Sequence, residues 1–293
     1  MSPLARIAAI ARNTLLEALR QRVLNVILVF GLVVLAGANL FSEFSFDDQF
    51  KFIKDYCLGI MSLIGVIMAI VAVAQLLPAE MEGRTLFTIL SKPVRRWEFL
   101  MGKYLGVAAM LLLTLALMAA VSAAVLFAQE HSLSADAREG LARAADPQAA
   151  EAARASLAKI AAAARDPWLL AAVGLVTVKV LLVAAIALAI STIATSVMFT
   201  VVVTSLVYIA GHLESTARAV WLDPTQPAGP AAKVFLAVVS ILIPDLGVFN
   251  LIDEIVLGNT VTIAYLLKAS AYAGGCLTVV LLVSCALFES REL

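Results

Sequence analysis

The chain has 293 residues, 62% of them hydrophobic and 14% charged, with a mean hydropathy of +1.00 and no formal net charge at pH 7. Soluble domains are closer to about half apolar and about a quarter charged, so this composition excludes an ordinary soluble fold and points to an integral membrane protein. The neutral balance also argues against nucleic acid as a partner, because phosphate recognition needs a basic face.

From the N-terminus, residues 3–20 have helical periodicity. Leu4, Ile7, Ala8, Ala11, Leu15 and Leu19 fall on one face, and Arg6, Arg12, Asn13, Glu17 and Arg20 on the other. The pattern predicts an amphipathic helix lying in the membrane interface, either as an anchor for the first span or as a belt helix touching a partner. Six apolar runs are long enough to cross a bilayer core, which takes about 20 helical residues. They cover residues 23–41, 56–77, 104–127, 168–193, 197–213 and 264–288. The run 23–35 followed by Ala36-Gly37-Ala38 has the look of a signal peptide, but the structured segment before it favours an uncleaved first span.

Between the second and third runs lies EMEGRTLFTILSKPVRRWEFLMGKYLG, residues 80–106. Lys92 precedes a proline, which disfavours helix there. Pro93 suits the first position of a new helix running through Trp97 and Phe99 into the third span. The segment 80–103 therefore reads as a helical elbow on the membrane face. Gly102 and Gly106, four apart, permit close helix approach, and tight packing inside the bundle accounts for them.

Residues 128–167 are alanine-rich and too poor in large apolar side chains to bury a core of their own. Ser134 as a cap, the Asp146-Pro147 break and the Asp166-Pro167 restart predict a helical hairpin outside the bilayer. The run 234–243 stops at Pro244-Asp245, too short to cross. Residues 234–258 thus read as re-entrant or interfacial short helices, with Pro244 and Asp245 as a candidate outer gate. Six spans put both termini on one side. Arg6, Arg12, Arg20 and Arg22, with Arg84, Lys92, Arg95, Arg96 and Lys103, make that side the cytoplasm.

Catalytic motifs are absent from the sequence. It has no GxxxxGK[ST], no HExxH and no GxSxG, and the adjacent Asp253 and Glu254 diverge on a helix. Cys57, Cys276 and Cys285 lack zinc-ligand spacing and read as buried thiols, so neither a catalytic nor a metal site is expected. Lys179 is the one ionisable residue near the middle of a span, with no acid at comparable depth in the other spans. It lines a polar path or a subunit interface, or else bonds backbone carbonyls.

Glu82-Gly83-Arg84-Thr85-Leu86, Ser91-Lys92-Pro93-Val94, Arg96, Glu98-Phe99-Leu100 and Gly102-Lys103 resemble the signature of ABC-2 type exporter permeases, the type V exporter fold. Similarity is nearest to the permease group that matures nitrous-oxide reductase and other multicopper enzymes. Residues 11–24, the Pro244-Asp245-Leu246 and Phe249-Asn250 segment and the closing FESREL are similar to that group too. The resemblance implies an all-α polytopic membrane protein with six spans, an N-terminal connecting helix and a cytoplasmic coupling helix at 80–103. It also implies a second permease chain, identical or not, and a separate P-loop ATPase that holds ATP and magnesium, so that this chain needs no cofactor. Glu82, Gly83, Arg84, Thr85 and Leu86 would meet the ATPase, while Lys92, Pro93 and Arg96 would set the angle of the elbow. The setting implied is the bacterial cytoplasmic membrane. A stand-alone secondary transporter or channel, and a membrane anchor for an ATPase complex, are the rival readings.

Overall fold

The structure, a computed structural model, describes residues 2–40, 46–75, 95–143, 146–164, 168–194, 196–222, 243–250 and 262–290. Eight helices occur among them: α1 (Pro3–Arg20), α2 (Arg22–Ala36), α3 (Phe46–Ala74), α4 (Arg96–Arg143), α5 (Pro147–Ala164), α6 (Trp168–Ile193), α7 (Val197–Leu222) and α8 (Ile263–Ser290). No strand occurs among the described residues. The architecture is all-helical, as the hydropathy pattern requires: in hydrocarbon every backbone N–H needs a partner within its own segment.

Among the described residues, α3, α4, α6, α7 and α8 are each long and apolar enough to cross a membrane. The count rises to six if the pair α1 and α2, bent by 65° at Gln21, is taken as one span. Alone, α2 has 15 residues, about 22 Å at 1.5 Å per residue. The 3-10 turn Gly37–Leu40 adds about 8 Å, which brings the segment to the roughly 30 Å of a hydrocarbon core.

α3 and α6 sit at the centre, in contact with each other and with α4, and α7 and α8 flank them. The core joins Met61, Ile64 and Met68 of α3, Leu111 and Leu115 of α4, and Val176, Val180 and Val183 of α6. Two tyrosines pin helices across it. Tyr56 donates its hydroxyl hydrogen to the Val34 carbonyl at 2.8 Å, and Tyr104 to the Leu181 carbonyl at 3.2 Å.

Three boundaries depart from expectation. Residues 46–55, expected in a loop, are the first turns of α3. The helix that carries the third span does not stop at 127, since α4 continues without a break to Arg143 and has 48 residues. Ser134 therefore caps nothing, and its hydroxyl bonds back to the His131 carbonyl at 3.0 Å within the helix. No proline interrupts 94–146, and the alanine, leucine, glutamate and arginine there are strong helix formers. The break does fall at Asp146-Pro147: Pro147 opens α5, and the Gln148 N–H donates to Asp146 Oδ1 at 3.2 Å. α5 folds back on α4 and on α3. Leu133, Ala137 and Ile160 are buried there, so the hairpin is seated on the bundle. Third, α7 runs nine residues past the expected end at 213, to Leu222.

Candidate functional site

Glu82, Gly83, Arg84, Thr85, Leu86, Lys92 and Pro93 lie outside the described residues. Residues 95–103, which come next in the chain, are described and form a collar around the first two turns of α4. Arg95 precedes the helix, and its N–H donates to Glu98 Oε2 at 3.2 Å, the reaching-back half of a capping box. Glu98 Oε1 accepts from Arg6 Nη2 of α1 at 2.8 Å. The Glu98 side chain is 0% exposed, so its charge rests on Arg6, the Arg95 N–H and the positive end of the helix dipole.

One turn on, Lys103 is 3% exposed, lies 3.6 Å from Glu17 of α1 and sits over the Phe99 ring. On the other side, Arg96 Nη1 donates to the Phe288 carbonyl at 3.3 Å and to the Glu289 carbonyl at 3.1 Å. Those are the last carbonyls of α8, which have no partner within their own helix. Phe99 stacks on Phe288. Arg96, expected to set the elbow angle, thus fastens the start of α4 to the end of α8. Arg6 and Glu17, read as part of an outward polar face, are the ion-pair partners of α4.

The face of α1 turned to α4 also differs from the one expected. Ile7, Ile10, Ala11, Thr14 and Ala18 point inward, while Leu4, Ala8 and Leu19 are exposed. The cause is the Gly102/Gly106 groove. A Cβ at Gly102 would stand 2.7 Å from Ile10 Cβ, and one at Gly106 would stand 2.5 Å from Thr14 Cβ and 2.7 Å from the Ala11 carbonyl oxygen. Ile10, Ala11 and Thr14 fill the groove and Leu15 packs partly buried beside it, while Leu4 and Leu19 stay on the outer side. The glycine pair thus serves close packing, as expected, with α1 as its partner.

Deeper in the bundle lies a group of polar residues. Lys179 of α6 is 1% exposed, among apolar neighbours. Placing lysine at the centre of a span costs about 3 kcal/mol on insertion scales, so such residues collect partners. His212 of α7 interacts electrostatically with Lys179 and with Asp245. His212 is also tilted against the Tyr208 ring.

Asp245 lies on the short segment 243–250. The Leu246 N–H donates to the Gly211 carbonyl at 2.9 Å, the Asp245 N–H to the Tyr272 hydroxyl at 2.9 Å, and the Tyr265 hydroxyl to the Val248 carbonyl at 2.9 Å. Asp245 Oδ1 accepts from the Gly247 N–H at 2.9 Å and shapes the 3-10 turn Gly247–Phe249. Gly211 makes the seat possible, because a Cβ there would meet Leu246 Cγ at 2.9 Å and the Pro244 oxygen at 3.0 Å. The rest of 234–258, read as paired short helices, lies outside the described residues.

Asp245, buried on the irregular segment 243–250 between spans, is an acid that a search confined to spans does not reach. His212 lies near the end of the apolar stretch Val197–Glu214, while the helix α7 itself runs on to Leu222. Among the described residues no three His, Cys, Asp or Glu side chains converge on a metal-sized site. Cys57 is buried, while Cys276 and Cys285 are half-buried.

An all-helical bundle with five to six membrane-length helices, a charged collar at one end and buried polar residues deeper in defines a multi-pass membrane protein. Residues 8–293 match the family model described as ABC-2 family transporter protein. The chain belongs to that family, and so has the role of an ABC transporter permease, whose members work with ABC ATPases. No curated protein matches the chain.

Proposed function

We propose that this chain is the membrane half of an ATP-driven exporter, without enzymatic activity or a cofactor of its own. It pairs with a second permease chain, identical or not, and with a separate P-loop ATPase that binds ATP and magnesium. Within the family it stands nearest the permeases that mature nitrous-oxide reductase and other multicopper enzymes, on the strength of the Glu82-Gly83 and Ser91-Lys92-Pro93-Val94 blocks. It resides in the bacterial cytoplasmic membrane with both termini inside, and the arginines and lysines flanking α1, α2 and α4 support that orientation.

The observation that carries the mechanism is the collar. The ATPase engages residues 82–86 of the elbow 80–103, and the elbow's last residues are the first turns of α4. Arg6–Glu98 and Glu17–Lys103 tie α4 to α1, and Arg96 ties it to the end of α8. A displacement of the elbow therefore reaches three helices at once. ATP binding supplies different binding energy to two arrangements of the bundle, and the permease converts that difference into alternating access.

Co-purification tests the reading. A P-loop ATPase encoded beside this chain should be retained by the parent and lost with Arg84→Glu or Arg96→Glu. Retention by both variants removes the elbow as the docking element. One observation favours a rival: Asp245, on the segment 243–250, is a buried acid of the kind an ion-coupled secondary transporter needs. Substrate uptake into vesicles that needs ATP upholds the exporter, and uptake driven by an ion gradient alone upholds the rival.

A further inference from the structure

The charges of the first two helices are unevenly used. Residues 2–40 hold four arginines, Arg6, Arg12, Arg20 and Arg22, and one acid, Glu17. Arg6 is taken by Glu98 and Glu17 by Lys103. Arg12, Arg20 and Arg22 are exposed, and none has an ion-pair partner among the described residues. The outside of the α1–α2 pair therefore carries three positive charges, and its one acid is already committed to α4.

Where those charges stand follows from the way α1 is rolled. At 100° per residue, Ile10, Thr14, Ile7, Ala18 and Ala11, which turn to α4, share one arc of about 100°. Leu4, Leu15, Ala8 and Leu19 come next on one side, and Arg12 borders them. Arg20 and Arg22 bracket Gln21, where α1 meets α2 at 65° and the Asn25 side-chain amide donates to the Leu19 carbonyl at 3.2 Å. Directly beyond, Val23, Val26, Val29, Phe30 and Val33 of α2 are exposed, and Leu16 and Leu19 of α1 are exposed before the bend. The arginines thus edge a strip of exposed apolar side chains at the start of an apolar run. Phosphate groups lie just outside the hydrocarbon core, and Arg20 and Arg22 stand at that boundary.

We propose that Arg12, Arg20 and Arg22 form a binding edge for anionic phospholipid, with the exposed leucines and valines beside them set against acyl chains. Charge complementarity selects this occupant. A zwitterionic headgroup brings its own cation and gains little from a cluster of arginines, whereas an anionic one is attracted by all three, and each guanidinium can take two phosphate oxygens at once. Continuity of the apolar strip with α2 favours lipid over a soluble partner, which would leave that strip uncovered. The glycine groove and two ion pairs hold α1 on α4, so lipid bound at this edge braces the start of α4. The proposal rests on the chain being a membrane protein and not on its being driven by ATP.

The test uses the full chain, purified and delipidated in a neutral detergent, then offered equal amounts of phosphatidylglycerol and phosphatidylcholine. Native mass spectrometry reads which lipid stays bound. The parent should retain phosphatidylglycerol about tenfold over phosphatidylcholine, since each basic residue beside a leaflet favours anionic lipid by about fivefold and salt screens part of that gain. Arg12→Gln/Arg20→Gln/Arg22→Gln should bring the ratio to within about twofold of one. Arg138→Gln/Arg143→Gln/Arg154→Gln, the same change of charge at exposed positions of α4 and α5, should leave it at about tenfold.

A variant at 12, 20 and 22 that keeps the parent's preference overturns the proposal. So does a variant at 138, 143 and 154 that loses it equally, because overall charge would then suffice. Should the first variant fail to purify as a monodisperse species, a photo-reactive phosphatidylglycerol applied to the parent decides. Cross-links within residues 12–26 uphold the edge, and cross-links confined to other segments overturn it. An ATPase that co-purifies with the parent and is lost from the first variant, with the lipid preference unchanged, assigns the arginines to a protein partner and overturns the proposal as well.

Discussion

Gly106 gives the sharpest residue-scale test of how α1 is held. A methyl group there meets Thr14 Cβ and, at 2.7 Å, the Ala11 carbonyl oxygen, which is backbone and cannot swing aside. Gly106→Ala should therefore destabilise the protein by about 1–3 kcal/mol, the usual cost of overpacking. Gly140, on the same helix, has open space around its Cβ position. Gly140→Ala should instead stabilise by up to about 1 kcal/mol, through helix propensity. Thermal unfolding in detergent of both variants checks the contrast, and equal shifts would remove the groove from the account. The spacing of Gly102 and Gly106 was legible in the sequence as a close-packing signal. Its partner was not, since the partnership spans 92 residues in the case of Arg6 and Glu98.

On the scale of the element, α7 shows why amphipathic reasoning from soluble proteins fails in a membrane. Its inward stripe is polar or small, with Thr200, Thr204, Gly211 and Glu214 all buried, while Met198, Phe199, Val202, Leu206, Ile209 and Leu213 face outward. In water the two faces would be exchanged. Hydropathy alone found the span, because the mean over a window ignores which side is which. The stripe makes a prediction. Thr204 Oγ1 is buried without a hydrogen-bond partner, whereas Thr200 Oγ1 donates to the Ser196 carbonyl at 3.3 Å. Thr204→Val keeps the shape and removes an unpaired hydroxyl, so it should be neutral or stabilising by about 1 kcal/mol. Thr200→Val should cost about 0.5–1 kcal/mol, and unfolding midpoints in one detergent rank the two.

Across the whole molecule, the two appendages should differ in weight. α1 fills the glycine groove and provides both collar ion pairs to α4, whereas α5 rests on the far-end extensions of α3 and α4 mainly through Ile160 and Leu157. Deleting residues 1–20 should lower the unfolding temperature more than replacing 146–164 with a short flexible linker. Size-exclusion profiles should show the first variant losing its monodisperse peak. The reverse order would mean that the hairpin, and not the collar, organises the bundle. The collar also places both ends of the described chain, α1 and the end of α8, at one end of the bundle.

Composition and apolar run length by themselves settled that the chain is a helical membrane protein, roughly where five to six of its helices cross, and where proline breaks the hairpin. Those properties are local, because the bilayer selects for the length and polarity of each stretch without reference to its neighbours. The similarity to ABC-2 permeases was legible too, from short blocks around residues 82–103. Only the tertiary structure decided which face of α1 turns inward, that Arg96 reaches the last carbonyls of α8, and that the segment 243–250 seats against Gly211 of α7 and Tyr272 of α8. These depend on which helices meet and at what depth, and no window along the chain contains that information: each pairing is fixed by the shape and charge of a surface elsewhere in the fold.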